Sequence, residues 1–327
     1  MDLAELTLLY YLKNINKKIL SIYFIILILI IISHFLYVFF FQKYKNDEMI
    51  INIPKKSSLI QISKILENNQ ITPSKVYPYI LCRIMGYEKN LSFGEFYISN
   101  DDSLYNIIKK IRFAKNYLRK ITIIEGFEIY QFNDLITNSQ LEIDQYKLDD
   151  YNIIAETFSY LKDENINSFL IKLDKYTKDL FKNSTSKLLS QYTIDEIIVI
   201  SSLVEKEAKN DKDKKIISSV IFNRLRENMK LDIDATVIYS ITKGEYKLGR
   251  KLTYTDLKIE SPYNTYKNKG IPPKPICIPG KKTVEIVLED NKSPYYYYFF
   301  NEIKNIHIFS KNFEDHKKKL NEYRKKI

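Results

Sequence analysis

The sequence predicts an α+β protein carried on a single N-terminal transmembrane helix, with a small β-α-α-β module followed by a larger mixed α+β domain. Three observations lead there. Ile19–Phe41 contains no Asp, Glu, Lys or Arg. Residues 48–115 alternate between strand and helix periodicities. Four of the seven glycines and five of the nine prolines fall between 244 and 280, after a long helical stretch. Gly and Pro at that density mark loops built on a helical frame.

The apolar run has 23 residues. As a helix it reaches about 34 Å, enough to cross a hydrocarbon core of about 30 Å. Lys17 and Lys18 bound it on one side, Lys43 and Lys45 on the other, and Tyr23 and Tyr37 suit the interfaces. A cleaved signal peptide has a shorter apolar core and small residues before the cut. Here Phe39-Phe40-Phe41-Gln42 closes the run, so an uncleaved anchor over 19–41 is expected, with residues 1–18 on the other side of the membrane from the rest. The flanking lysines do not decide the orientation. No second apolar run of spanning length follows.

Within the module, Met49–Ile53 reads as a short strand. Ser57 or Ser58 caps a helix with Leu59, Ile62, Ile65 and Leu66 on one face. Pro73 opens a second helix, which Val76, Ile80 and Ile84 continue to Gly86. Gly94–Ile98 is a second strand, and Asp101 or Asp102 caps a helix carrying Leu104, Ile107, Ile108 and Ile111. The larger domain, 119–327, opens with a strand at Lys120–Ile124 that Gly126 breaks, then runs mostly helical from 127 to 229. Tyr295–Phe300 and Ile306–Phe309 pair around a polar turn, and the last 18 residues form a basic surface helix.

Composition excludes several classes. At 45% hydrophobic and 28% charged, the 327-residue chain is neither disordered nor fibrous. Two cysteines exclude a disulfide framework and a Cys-based zinc site, and three histidines argue against a His-rich metal centre. Neither G-x-G-x-x-G nor G-x-x-x-x-G-K-[ST] occurs. The formal charge is +11. Its basic residues are spread from Lys13 to Lys326 rather than clustered, so no nucleic-acid partner is expected.

The helix from Thr193 to about Lys209, capped by Thr193 or Asp195, carries the chemistry. Ile194, Ile198, Ser201, Glu205 and Ala208 fall on one stripe, with Ile197, Ile200 and Val204 beside it. Glu205 therefore faces the core side, and Ser201, Ser202 and Ala208 around it are small enough to leave room for a ligand. Burial disfavours the charged form of a carboxyl, and a carboxylic acid kept protonated near neutral pH is what general-acid cleavage of a glycosidic bond requires. Glu207, two residues on, does not face it. The competing reading is a boundary glutamate paired with Lys209 at i+4, and periodicity alone leaves both open.

The stretch that follows narrows the choice. It reads S-S-L-V-E-K-E-A from Ser201, V-I-F-N-R-L from Val220 and M-K-L-D-I-D-A-T-V-I-Y from Met229. L-T-Y-T-D-L follows from Leu252, I-E-S-P-Y-N-T-Y-K-N-K-G-I-P-P from Ile259 and P-I-C-I-P-G from Pro275. In order and spacing this set resembles the membrane-anchored endolytic murein (lytic) transglycosylase family, over about residues 48–327. The resemblance implies a LysM-like module after the anchor, then the catalytic domain. The family's catalytic glutamate is the first Glu of V-E-K-E, here Glu205. The implied reaction cleaves the β-1,4 bond after N-acetylmuramic acid in nascent glycan strands. Glu205 protonates the leaving oxygen, then acts as base while the muramoyl 6-hydroxyl closes a 1,6-anhydro end. No cofactor or metal is needed.

The resemblance also implies substrate-binding residues. Asp234, with Thr236 after it, matches the family's acidic position, and its other reading is a helix N-cap. Asn264 can donate and accept through its amide, while Tyr263 and Tyr266 can stack on sugar faces or pack the loop. Arg224, beside Asn223, either supports the glutamate helix or meets a stem-peptide carboxylate. His307 and His316 are expected to pack, and Cys82 and Cys277 fall in different modules with no bridge predicted. The sequence departs from the family at Ala235, at Ile278-Pro279-Gly280 and over Asp150–Phe158, which puts residues 140–165 in doubt.

The first reading is thus a single-pass inner (plasma) membrane enzyme with its catalytic part outside the cytoplasm. Its partners are glycan strands, membrane lipid through the anchor, and the peptidoglycan synthases. The alternative is a non-catalytic peptidoglycan-binding scaffold. A third reading, a hydrolase of the same bond, requires a second carboxylate about 5–9 Å away, for which Asp234 is the sequence's best candidate.

Overall fold

The computed structural model describes residues 3–43, 47–182 and 184–325, with side chains from Lys17 onward. Lys45 and the side chains of residues 1–16 lie outside the described residues. The chain divides into two compact units, 1–118 and 119–327.

The first unit opens with α1 (Leu3–Leu36) and a π-helical turn, Tyr37–Phe41. Lys17–Phe41, 25 residues, is long and apolar enough to cross a membrane. Strands β1 (Met49–Ile53) and β2 (Gly94–Ile98) pair antiparallel, from Met49↔Ile98 to Ile53↔Gly94. Between and after them lie α2 (Leu59–Asn68), α3 (Val76–Ile84) and α4 (Leu104–Arg112). Ser58 and Gln61 form a capping box at α2. Neither Asp101 nor Asp102 caps α4. Ser103 does, accepting the Asn106 N–H, while Asp102 accepts the Ser99 N–H at 2.9 Å and pairs with Lys110.

α3 starts past Pro73 and buries Pro78, Leu81 and Cys82. Of the i, i+4 stripe that periodicity singles out, Ile80 packs against the core while Val76 and Ile84 are exposed. The unit's core joins Ile51, Ile62, Leu66, Phe96, Ile107 and Ile111 to Val38 and Phe39 of the π-helical turn.

In the second unit β3 (Arg119–Thr122) pairs antiparallel with β4 (Thr157–Tyr160). β4 lies in the stretch the sequence marks as helical. Phe158 and Tyr160 are buried and Thr157 and Ser159 exposed, an alternation too short to register against its helical flanks. Next come α5 (Ile129–Thr137), α6 (Ile166–Lys182), α7 (Ile194–Glu207), α8 (Asp211–Arg226) and α9 (Asp234–Thr242). The chain closes with α10 (Lys281–Leu288), β5 (Tyr297–Asn301), β6 (Ile306–Ser310) and α11 (Phe313–Arg324). β5 and β6 pair antiparallel. Ile197, Ile200, Leu203 and Val204 of α7 pack with Ile217 and Ile221 of α8 and Val284 and Val287 of α10 in one core.

Asn223 and Arg224 tie α8 to the chain entering β5. The Asn223 amide donates to Ser293 O (2.9 Å) and Tyr295 O (2.8 Å). Arg224 donates to Tyr296 O (2.7 Å), Lys230 O (3.1 Å) and Leu231 O (2.7 Å) from an almost buried guanidinium. Truncating it strands those carbonyls. Arg224→Ala is expected to lower unfolding free energy by about 3 kcal/mol. Arg224→Lys should recover less than half of that, because an ammonium cannot fork. Urea melts followed by circular dichroism check both. Full stability in Arg224→Ala would mean that the guanidinium is free for another role.

Candidate active site

The position of Glu205 is set by how α7 begins and ends. Thr193 Oγ1 accepts the Glu196 N–H, and the Glu196 carboxylate accepts the Thr193 N–H at 2.8 Å, a capping box that fixes the first turn. Asp195 does not cap; it accepts from the Asn152 amide at 2.7 Å. Ile197 through Val204 are all buried, which brings Glu205 to the rim of the core with its side chain 8% exposed.

There the carboxylate meets three partners. Oε2 accepts the Gly280 N–H at 2.9 Å and the Thr283 hydroxyl. Gly280 is the N-cap of α10, so the carboxylate lies at the positive end of that helix. Oε1 lies 3.0 Å from Lys214 Nζ, an ammonium that is itself almost buried. The pairing with Lys209 is thereby corrected: Lys209 Nζ lies 5.0 Å from the ring centre of Phe300.

Lys214 has a second carboxylate neighbour. Glu125 Oε2 is 3.6 Å from Nζ, on a half-exposed side chain. Glu125 follows β3 and precedes Gly126, whose φ of +80° turns the chain. The Gly126 N–H donates to Ile278 O (2.9 Å), the Ile278 N–H to Phe127 O (2.8 Å) and the Ala155 N–H to Pro279 O (2.8 Å). The Ile276 N–H donates to Ser202 Oγ at 3.1 Å. Segment 276–280 is thus sewn to both the strand end and the glutamate helix. A Cβ at Gly280 would lie 2.2 Å from the Glu125 carboxyl, so a side chain there would displace the half-exposed Glu125.

A second polar cluster starts two residues further along α7. Tyr298 donates to Glu207 Oε2 at 3.1 Å, and Tyr266 donates to Asp234 Oδ1 at 2.7 Å. Burial pushes the Glu207 carboxyl up to about 7, with the charge of Asp234 adding and bonds from Tyr298 and the Ala235 N–H opposing. The same burial raises the Tyr298 hydroxyl well above its usual range, helped by Glu207, and raises Tyr266, helped by its bond to Asp234.

The sequence-predicted residues therefore separate. Asp234 is the first residue of α9 and exposed, its side chain given to Tyr266 rather than to a cap. Tyr263 packs against Tyr239 at 4.7 Å between ring centres. Thr236 is buried and bonded to Ile233 O and Thr265. Buried Asn264 donates to Leu257 O and Ile259 O and accepts the Tyr266 N–H, so its amide holds the loop together. Arg224 is committed to backbone carbonyls. His307 pairs with Asp213 at 2.9 Å, and His316 packs against Tyr297 and Phe313. Cys277 donates to Ser202 O, and both cysteines are buried and free.

Sequence reasoning missed Lys214, Glu125, Gly280 and Thr283. Lys214 hides in the run N-D-K-D-K-K, which reads as a solvated face. Glu125-Gly126 at a strand end was the available signal.

A nearly buried carboxylate that meets one ammonium and one helix N-terminus is a setting that carboxylate acid–base chemistry can use. The chain belongs to the YceG-like family, which matches residues 51–322. It is 27% identical over 321 residues to the endolytic murein transglycosylase of Bacillus subtilis (strain 168), covering 86% of each chain. It is 30% identical over 188 residues to the enzyme of the same name from Streptococcus pneumoniae serotype 2, covering 55% of this chain and 33% of that one. Among solved structures it resembles a YceG-like protein of Listeria monocytogenes, with a TM-score of 0.53 and 28% identity over 85% of this chain and 99% of that one.

Glu207 makes a pH prediction. Its folded value of about 7 lies above the ordinary glutamate value of about 4.3. The folded chain keeps a proton there that the unfolded chain has lost. That contribution to stability is complete below about pH 4.3 and disappears as the pH rises through about 7. Glu207→Gln escapes the loss. Its stability relative to wild type should rise by on the order of 2 kcal/mol between about pH 4.5 and about pH 7.5, read from urea midpoints. A flat difference would place Glu207 in an environment like water.

Proposed function

We propose that this protein cleaves peptidoglycan glycan strands endolytically, as a lytic transglycosylase, with Glu205 as its acid and base. The observation that carries the assignment is the setting of Glu205, a nearly buried carboxylate at the end of an apolar helix with an ammonium and two hydrogen-bond donors on it. The names borne by its Bacillus and Streptococcus relatives support the same chemistry.

In the proposed mechanism Glu205 gives its proton to the glycosidic oxygen as the bond after N-acetylmuramic acid breaks. It then takes a proton from the muramoyl 6-hydroxyl, which closes on its own anomeric carbon. No water enters, and the carboxyl ends as it began. Lys214, Gly280 and Thr283 stabilise the anionic form that exists between the two transfers. Asp234, Tyr266 and Tyr263 offer hydroxyls and ring faces to the sugar, while Thr236, Asn264 and Arg224 shape the loops that present them. In this reading α1 anchors the enzyme in the plasma membrane, residues 48–115 form a LysM-like glycan-binding module, and 119–327 form the catalytic domain outside the cytoplasm, within reach of the synthases.

One observation favours a second reading. Both Glu205 and Glu125 approach Lys214, so a second carboxyl lies no more than about 7 Å from the first, and a hydrolase needs a second carboxyl nearby. Product chemistry decides between them. Full-length protein is incubated with purified glycan polymer and the products weighed. Glu205→Gln should lose activity by about 10³-fold or more, and wild-type products should carry anhydro ends. Glu125→Gln should slow the reaction by only about 10-fold and leave the product type unchanged. Products one water heavier, with Glu125→Gln as damaging as Glu205→Gln, would make the enzyme a hydrolase. Glycan binding without products from the wild type would leave the scaffold reading.

A further inference from the structure

We infer that the exposed face of α3 seats in the lipid interface of the same membrane that α1 crosses, so that the first unit lies on the bilayer rather than swinging from it. The inference rests on the reading of α1 as a membrane span. A hydrocarbon core of about 30 Å, measured from Ile19 at 1.5 Å per residue, takes about 20 residues and ends near Val38. The first unit grips the helix below that level. His34 Nε2 and the Tyr77 hydroxyl are 2.9 Å apart, and the Phe35 and Tyr77 rings lie 5.1 Å apart. His34 is four residues before Val38, so Tyr77 of α3 sits about 6 Å inside the core boundary.

That depth is where interfacial amphipathic helices bury their apolar faces, about 5–10 Å into the boundary. The side chains next to Tyr77 fit such a place. Val76 and Ile84, near the two ends of α3, are 45% and 74% exposed, while Ile80 between them is half-buried against the unit's core. Lys75 and Arg83 are both exposed, Arg83 pairing with Glu88 at 3.1 Å, and the Lys75 ammonium can reach headgroups from the start of the helix. His34 makes the case a second time. An ionisable side chain inside a span needs a polar partner, and the first unit supplies it from α3.

Single cysteines at Val76, Ile84, Leu27 and Tyr254 provide the test. Full-length protein is labelled with a nitrobenzoxadiazole maleimide and placed in vesicles of three parts phosphatidylcholine to one part phosphatidylglycerol. The native cysteines are buried, and burial pushes the Cys82 thiol up to about 12, so they stay unlabelled at neutral pH. Leu27 reports the span and Tyr254, 85% exposed in the second unit, reports water. Labels at Val76 and Ile84 should shift to the blue, resist aqueous iodide and be quenched more strongly by shallow than by deep spin-labelled lipid, the reverse of the order at Leu27. Quenching at Leu27 with iodide access at Val76 and Ile84 would overturn the seat and keep the anchor. No lipid quenching at Leu27 would remove the anchor itself, and the inference with it.

Discussion

A carboxylate at the edge of a hydrophobic core is the constraint around which the second unit is arranged. Desolvating Glu205 without compensation would cost several kcal/mol. Its compensation comes from chain segments far away in sequence: the α10 N-terminus at Gly280 and Thr283, and Lys214 on α8. Each contact imposes further order. For Gly280 to reach Glu205, segment 276–280 must be fixed, and its backbone bonds to Gly126, Phe127, Ala155 and Ser202 fix it. For Lys214 to point inward, α8 must pack on α7, which Ile217 and Ile221 ensure. The capping box at Thr193 and Glu196 sets the helical register, and therefore the face on which Glu205 emerges.

What sequence reading reached and what it missed divide along contact range. Period and capping chemistry are local. They yield β1, β2 and β5 with β6 nearly to the residue, the buried face of α4, and the stripe that presents Glu205. The partner of Glu205 is not local. Proximity at i+4 favours Lys209, while the fold delivers Lys214 from the next helix. Two elements escaped for different reasons. β4 is only four residues long, and α10 begins directly after a Pro-Gly loop signal that masks its apolar positions, Val284, Ile286 and Val287. The stretches that depart from the motifs, 150–158 and 278–280, contribute backbone bonds here: Ala155 N–H to Pro279 O, Ile278 N–H to Phe127 O. Backbone pairing tolerates side-chain change, so a departure from a motif there need not be a loss of the site.

The two carboxyls of α7 illustrate how one helix end can serve two environments. Residues at i and i+2 diverge on a helix, so Glu205 and Glu207 enter different clusters. Glu205 has an ammonium and two hydrogen-bond donors of its own. Glu207 has a tyrosine hydroxyl and the Ala235 N–H, with another carboxylate, Asp234, nearby. Burial raises the Glu207 carboxyl, while Glu205 is bonded to partners of its own. Asp234, weighed from sequence as the companion of Glu205, is electrostatically the companion of Glu207.

Lys214 ties this corner of the fold together. Its ammonium lies 3.0 Å from Glu205 and 3.6 Å from the half-exposed Glu125, so one cation delivered by α8 links the end of α7 to the end of β3. From the other side, the backbone bonds of segment 276–280 hold the Gly280 N–H against the Glu205 carboxylate. Two contacts from opposite directions therefore fix one carboxylate, and neither can be lost without loosening the chain segment that supplies it.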